Sequence, residues 1–165
     1  MPAAPGSVAM PALPLANERG ERLLAIDPPA RHPPAAPRFA LVVGEEEGRV
    51  LLVFNAQRDV HELPGGWIDP GESAEACARR ELLEESGHRA ATLALSAWIT
   101  LDIPDPGGGS ERIVGAVFAG ELMRAGPFTP TPEIAAVGFH PFDRLPAATS
   151  AIDSAVVAWH ALARA

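Results

Sequence analysis

The segment that most constrains this chain is a short helix-forming stretch with a signal at each end. Ser73 is a favourable N-cap residue, and Glu75 in the first turn complements the positive end of the helix dipole. Gly87 suits the left-handed residue that commonly follows a helix. The pattern therefore predicts a helix from Ser73 to Ser86, fixed in position between two turns.

Three glutamates lie on one face of that predicted helix. Glu81, Glu84 and Glu85 stand at positions i, i+3 and i+4, so their side chains project together. Like charges crowded in this way repel unless a cation neutralises them, and carboxylate oxygens suit Mg²⁺ or Mn²⁺. The alternative is a solvated acidic face in which Arg80 and Glu84 form an ordinary i, i+4 pair. Taken alone, the three glutamates favour that simpler interpretation.

Neighbouring residues add groups that a metal site needs. The guanidinium of Arg80 can hold a carboxylate through two parallel hydrogen bonds and so fix its direction. Gly65 and Gly66 allow the backbone to approach closely, so a carbonyl oxygen there can join the metal ligands. A cation on a diphosphate neutralises developing charge and activates water. Together these groups indicate hydrolysis of a phosphoric anhydride without a covalent nucleophile.

The spacing of the whole segment resembles the Nudix box of the Nudix hydrolases. Gly66 is followed after five residues by Glu72, and after seven more by Arg80-Glu81-Leu82-x-Glu84-Glu85-x-Gly87. The match fixes eight positions over 22 residues, from Gly66 to the glycine that precedes His88. The family has an apolar residue where His88 stands, and this departure bears on local packing more than on catalysis.

The resemblance implies a fold, a reaction and a set of site residues. The implied fold is α/β (α+β), an α/β/α sandwich with a mixed β-sheet between helices. The implied reaction is hydrolysis of a nucleoside diphosphate linked to another group, with Mg²⁺ or Mn²⁺ as cofactor. The catalytic positions of the family fall on Glu81, Glu84, Glu85 and Arg80, and its metal-ligand positions on the three glutamates, Gly65 and Glu72.

Residues outside the box supply further candidates. Many family members add an acidic metal ligand beyond the box, and Glu133 is our candidate for it, with Glu111 as the alternative. Trp67 is expected to face the site and stack on a base, because it lies in the loop that leads to the helix. Arg58 and Arg112 are expected to contact phosphate or ribose.

The rest of the chain predicts strands before and after the helix. Residues 1–38 are rich in Pro and Ala and are interpreted as an N-terminal segment with one short strand at residues 22–26. The Nudix-like domain is placed at residues 39–165. Its predicted strands are 39–43, 49–54, 61–63, 91–100, 112–120 and 137–140, with a loop at 102–111 and a last helix at 152–163. A homodimer is left open, with a contribution from the N-terminal segment.

Composition limits the partners. The net charge of −8 argues against binding a nucleic-acid polymer through its backbone, but a small nucleotide can be held by a metal. The chain has no Lys, so a side-chain cation for phosphate must be Arg. No apolar run reaches the length of a membrane span, and no secretory signal is seen, so we expect a cytoplasmic protein. Cys77 is the single cysteine, which excludes an intrachain disulfide.

The substrate is left between two classes. Pro104, 16 residues beyond His88, is similar to a position in the ADP-ribose pyrophosphatase subgroup. The Pro64-Gly65-Gly66 sequence is more similar to members that cleave nucleoside triphosphates, including oxidised ones. The expected substrate is therefore ADP-ribose or a nucleotide sugar, or else a nucleoside triphosphate. A non-catalytic nucleotide-sensing module on the same fold is the alternative function.

Overall fold

The computed structural model describes residues 8–164, which form ten strands and two helices. The strands are β1 (Leu15–Ala16), β2 (Arg22–Asp27), β3 (Pro37–Glu46), β4 (Arg49–Asn55), β5 (Val60–Glu62), β6 (Gly65–Trp67), β7 (His88–Ala90), β8 (Ala94–Pro104), β9 (Ser110–Arg124) and β10 (Ile134–Pro141). The helices are α1 (Ala74–Ser86) and α2 (Ala151–Ala163). None of the helices in this part of the chain is long and apolar enough to cross a membrane.

The strands form a mixed sheet in the order β1-β2-β8-β9-β3-β4-β10. Strands β3 and β9 run parallel, whereas the other neighbours on this path are antiparallel. The short strands attach at the sides: β5 pairs with β4, β6 with β3 and β7 with β9. The pairing of β6 with β3 brings the glycines before the helix onto the central strand.

Alternate residues of the central strands enter two separate hydrophobic cores. Val43 of β3 packs in the core that contains Val156 of α2. Its neighbour Val42 packs in the other core, with Leu82 of α1. The two helices therefore cover opposite faces of the sheet, which confirms the predicted α/β/α sandwich with a mixed sheet between helices.

The predicted loop at residues 102–111 is wrong in extent. Strand β8 continues to Pro104 and β9 begins at Ser110, so the connection is only residues 105–109. Cross-strand pairing of Asp102 with Arg112 and of Ile103 with Glu111 extends the hairpin. Pro and Gly residues suggested a longer loop, but pairing with a neighbouring strand overrides such local preferences.

The N-terminal segment contributes directly to the sheet. Strand β2 covers the predicted residues 22–26 and pairs with β8. The side chain of Leu23, in β2, is fully buried. Strands β1, β6 and β7 were not predicted, because strands of two or three residues carry too short a hydrophobic pattern. Residues 1–7 lie outside the described part of the chain, so the structure bears on only part of the predicted segment 1–38.

Candidate active site

Helix α1 begins and ends as its sequence predicts. The Oγ atom of Ser73 accepts a hydrogen bond from the backbone N–H of Ala76 at 3.1 Å, and Gly87 has φ of 71° at the C-terminal end. Cys77 and Leu82 lie on the buried face of the helix. This anchoring leaves the face that carries the glutamates at the edge of a cleft.

Arg80 connects the charged groups around the start of this face. Its Nε and Nη2 atoms donate to the two carboxylate oxygens of Glu72 at 2.8 and 2.9 Å. Its Nη1 atom donates to Glu81 at 2.9 Å and to Glu84 at 3.4 Å. Nη2 also donates to the carbonyl of Trp67 at 3.3 Å. A single guanidinium therefore fixes the loop before the helix and orients two helix carboxylates.

The Arg80–Glu72 pair has strong electrostatic consequences. The hydrogen bonds from Arg80 hold the pKa of Glu72 at about 2, against an ordinary value of 4.5. The same bonds raise the pKa of Arg80. Glu72 is therefore a permanent anion whose two oxygens are occupied by Arg80, which suits a supporting role.

Glu81 and Glu85 form a half-buried carboxyl pair. Burial raises the pKa of both groups, and in Glu85 the neighbouring carboxyl of Glu81 raises it further. The negative charges of Glu62 and Glu133 raise the pKa of Glu85 in addition. Arg80 acts in the opposite direction on Glu81. The acidic groups thus lie close enough in the cleft to disfavour ionisation of Glu85.

The two glycines before the helix allow this crowding. A Cβ atom on Gly66 would lie 2.7 Å from Cδ of Glu81, which is closer than real Cβ contacts. A Cβ atom on Gly65 would lie 3.1 Å from Cα of Leu41 and would press on the carbonyl oxygen of Ala40. Gly65 therefore requires glycine because it approaches the backbone of β3, whereas a side chain at position 66 would displace the carboxylate of Glu81.

The donor set fits a hard divalent cation. Mg²⁺ usually takes one or two protein carboxylates and completes its shell with water and substrate phosphates, so Glu81 and Glu85 suffice as a start. Glu84 contacts Arg80 at 3.4 Å, but its side chain is 59% exposed. Solvent around it leaves room for a rotation towards Glu81 and Glu85. Among residues 8–164 no three acidic, imidazole or thiol groups already converge on one point. The substrate phosphates would therefore have to complete the site.

The glutamate pair opens into a cleft of about 410 Å³. Gly65, Gly66 and Trp67 form one wall, and Glu62, Asp153 and Ser150 lie on another. Glu62 accepts hydrogen bonds from Asn55 at 2.8 Å and from Arg58 at 3.0 Å. Asp153 is buried in the first turn of α2 and accepts a hydrogen bond from the backbone N–H of Leu63 at 3.0 Å.

The structure brings most of the predicted site residues to this cleft. Trp67, Arg58 and Glu133 line it, together with Arg80, Glu81 and Glu85. Trp67 is 55% exposed and its ring meets that of Phe39 edge-on at 6.1 Å.

Four predicted residues are not among those that line the cleft. Glu72 and Glu84 lie beside it, where both accept hydrogen bonds from Arg80. The other two lie on the β8–β9 hairpin. Arg112 is not among the residues that line the cleft, and it donates to Asp102 at 3.1 Å across the β8–β9 hairpin. Glu111, the alternative acidic ligand, pairs with Arg38 at 3.0 Å on the surface. Both residues lie in strand β9 of the hairpin, and Glu111 falls within the stretch that the sequence pattern predicted to be a loop.

Sequence reasoning missed Glu62, Asp153 and the cleft residues of the N-terminal segment. An aspartate in the first turn of a helix usually indicates capping, and nothing local shows that Asp153 is buried against a backbone group 90 residues away. Glu62 is the last residue of a strand of only three residues. Their contribution arises from contacts between distant parts of the chain.

Comparison with known proteins agrees with this arrangement. The family profile described as NUDIX domain matches residues 34–160, which is most of the chain. The structure is also similar to a crystal structure of a mutant of the Bacillus subtilis pyrophosphohydrolase BsRppH. That likeness has a TM-score of 0.68 at 18% identity and covers 91% of this chain and 95% of that one. At this identity the likeness shows the fold.

Two curated relatives match shorter stretches. A putative 8-oxo-dGTP diphosphatase of Bacillus subtilis is 48% identical over 56 residues, which is 34% of this chain and 37% of that protein. An RNA pyrophosphohydrolase of Caulobacter vibrioides is 36% identical over 78 residues, 44% of this chain and 45% of that protein. The chain thus spans less than half the length of either relative. The family profile, which covers the box, strands β3 to β10, helix α1 and most of α2, confirms the resemblance seen in the sequence: the chain belongs to the NUDIX family.

Proposed function

We propose that this protein is a Mg²⁺- or Mn²⁺-dependent pyrophosphohydrolase that cleaves a nucleoside diphosphate linked to another group. The observation that carries the proposal is the Glu81–Glu85 pair, oriented by Arg80 and open to a cleft of about 410 Å³. Half-buried carboxyls that repel one another are a costly arrangement unless a cation and an anionic substrate complete it.

The residues divide the chemistry as follows. A bound cation would neutralise the phosphoryl oxygens and activate water. Arg80 bonds to both Glu72 and Glu81, so the Glu81 carboxylate is held in one rotamer that points to the cleft. Glu85 is the proposed acceptor of a proton from the attacking water, and a neighbouring cation would keep its carboxylate ionised against the burial that raises its pKa. Trp67 and Arg58 are the proposed contacts to base and to phosphate or ribose.

The substrate is proposed at the level of two classes. A nucleoside triphosphate, including an oxidised one, is favoured by the relative named a putative 8-oxo-dGTP diphosphatase. ADP-ribose or a nucleotide sugar is the other class kept from the sequence. The relatives named RNA pyrophosphohydrolase favour a 5′-triphosphate end of RNA as a second candidate function. The net charge of −8 limits contact with the RNA beyond that end.

A panel of substrates with Mg²⁺ tests the activity. Phosphate or pyrophosphate release would be measured for nucleoside triphosphates, 8-oxo-dGTP, ADP-ribose, nucleotide sugars and a short 5′-triphosphate RNA. We expect Glu85→Gln and Glu84→Gln to lower kcat, the former by at least about 100-fold, because each loses a proton acceptor or metal ligand. Glu75→Gln is the matched control, since Glu75 lies on the same helix and pairs with Arg79.

Two results would decide against the proposal. Unchanged activity in both Glu84→Gln and Glu85→Gln would contradict the metal-site assignment. No release from any substrate by the wild-type protein would favour the nucleotide-sensing alternative. A titration with Mn²⁺ alone provides a separate measurement, and we expect weaker binding to Glu85→Gln than to Glu75→Gln.

A further inference from the structure

The loop between β1 and β2 forms part of the cleft wall, although it precedes the family match. Asn17, Arg19 and Glu21 line the cleft that contains Glu81 and Glu85. The NUDIX profile begins only at residue 34. This wall therefore lies outside the residues that the family profile matches.

Asn17 holds the loop in one shape. Its Oδ1 atom accepts hydrogen bonds from the backbone N–H groups of Arg19 and Glu21 at 3.0 and 3.1 Å. Its Nδ2 atom donates to Oε1 of Glu21 at 2.7 Å, and Nη2 of Arg19 donates to the same oxygen at 2.6 Å. Pairing of β2 with β8 fixes the strand that follows. Arg19 is thus positioned before any ligand arrives, which lowers the entropy cost of binding.

The charges at this end of the cleft nearly balance. Arg19 pairs with Glu21 at 2.6 Å and Arg58 pairs with Glu62 at 3.0 Å, and all four side chains line the cleft. Burial raises the pKa of Asp153 to about 7 while both arginines oppose the rise, so the arginines lie near this acid. A phosphate placed here would meet two carboxylates. An uncharged group that both donates and accepts hydrogen bonds would meet partners of each kind.

The floor beside this polar wall is apolar. It is lined by sheet residues, of which Leu41 and Ile103 are half-buried and Ile99, Leu101 and Ile113 are buried. An apolar surface beside polar groups suits a planar heteroaromatic ring, with its face on the apolar side chains and its edge at the polar groups. The carboxylates of Glu81 and Glu85 then remain for the diphosphate.

We propose that the β1–β2 loop is a base-recognition wall, in which the Arg19 guanidinium donates two hydrogen bonds to the acceptor edge of guanine. The inference rests on the proposed action on nucleotides. Guanine presents two adjacent acceptors, O6 and N7, which match an arginine fork, whereas adenine presents an amino donor beside N7. The oxidised guanine of 8-oxo-dGTP carries a proton on N7, so this recognition selects the unoxidised guanine nucleotide among the triphosphate candidates. A guanidinium has five N–H donors, so the one that Glu21 holds leaves others for the base.

Binding of nucleosides in the absence of metal, with inorganic pyrophosphate as a separate ligand, tests the proposal directly. Guanosine, adenosine and inorganic pyrophosphate would be titrated separately by calorimetry into the wild type, Arg19→Ala and Arg19→Lys. We expect the wild type to prefer guanosine, and Arg19→Ala to bind guanosine roughly tenfold more weakly with no change for adenosine or pyrophosphate. Arg19→Lys keeps the charge but not the fork, so it should lose most of the preference as well.

Arg31→Ala is the matched control, because Arg31 has a side chain that is 76% exposed and pairs with Asp27 outside the cleft. Thermal unfolding would establish that each variant is folded. Unchanged guanosine binding in folded Arg19→Ala, a loss for pyrophosphate of the same size, or no preference for guanosine in the wild type would overturn the proposal. An inactive wild type that still binds guanosine through Arg19 would overturn the proposed hydrolysis alone, so the two failures are distinguishable.

Discussion

Gly66 and Glu81 are in contact across the start of the cleft, the glycine on strand β6 and the glutamate on helix α1. A Cβ atom added to Gly66 would lie 2.7 Å from Cδ of Glu81 and 3.2 Å from its Oε2 atom. The carboxylate therefore rests on the backbone of the glycine, and Arg80 holds it from the other side at 2.9 Å. The direction of Glu81 depends on both neighbours.

Replacement of Gly66 with alanine should displace the Glu81 carboxylate and lower kcat/KM. A shift of about 1 Å at a reacting group can cost roughly 100-fold in rate, and we expect a loss of that order. Gly107→Ala is the control, because a Cβ atom there meets nothing within 4 Å. Kinetics of both variants on the best substrate of the panel would measure the effect. Wild-type kinetics in Gly66→Ala would show that the position of Glu81 does not matter.

Replacement of Arg80 with lysine should lower activity while the charge is kept. A lysine ammonium cannot make the two parallel bonds to Glu72 and also reach Glu81, so both carboxylates lose their fixed direction. Loss of such an orienting residue typically costs about 10- to 100-fold in activity or metal affinity. Arg79→Lys, at the preceding position of α1, serves as the comparison. Equal activity of the two variants would argue against an orienting role for Arg80.

Asp153 should make the protein less stable as the pH rises from about 4 to about 7. Burial raises its pKa from 3.8 to about 7, and the charge of Glu62 adds to this. The folded state then binds a proton that the unfolded state has lost, so the stabilisation is present below pH 4 and is lost as the pH rises through 7. The upper limit of the loss is roughly 4 kcal/mol.

The Asp153→Asn variant tests this effect because asparagine stays neutral at every pH in the window. The two pKa values set the window, so urea unfolding would be measured between about pH 4.5 and pH 8. The stability of Asp153→Asn should depend less on pH than that of the wild type. The exposed Asp143→Asn provides a control for the change of charge. A wild type and an Asp153→Asn variant with parallel pH profiles would contradict the prediction.

Cys77 should resist alkylation in the folded protein. Its side chain is fully buried and its Sγ atom donates to the carbonyls of Gly66 and Trp67, each at 3.4 Å. Burial raises the pKa of the thiol from 9.0 to about 12, which reduces the thiolate fraction at neutral pH roughly a thousandfold. Thiol labelling should be slow in buffer and rapid in guanidinium chloride, with Cys77→Ala as the blank. Equal rates in the two solvents would show that the thiol is accessible in the native state.

Local chemistry explains which features could be predicted. The caps at Ser73 and Gly87 act within one turn of the helix, so the sequence contains all the information that sets its ends. The spacing of Glu81, Glu84 and Glu85 fixes their common face for the same reason. The long strands β3, β4 and β9 could be recognised because each buries a run of apolar side chains.

Features that depend on distant partners could not be predicted in this way. The hairpin of β8 and β9 is longer than its Pro and Gly residues indicated, because each strand is held by its partner and by β2 or β3. Glu84, expected beside the other glutamates, is directed to Arg80 in the structure. Side-chain direction on a helix face is decided by neighbours, and spacing alone does not specify it.

The sequence by itself determined the helix and the common face of its carboxylates, because these follow from periodicity and from contacts a few residues apart, and its resemblance to a known family implied the sandwich. Only the tertiary structure decided what surrounds the carboxylates. Asp153 accepts a hydrogen bond from the backbone of Leu63, which lies 90 residues earlier in the chain. The Asn17–Glu21 loop lines the cleft although it precedes the residues that the family profile matches. Such contacts have no local signature, since their free energy is gained only when the sheet has brought the segments together.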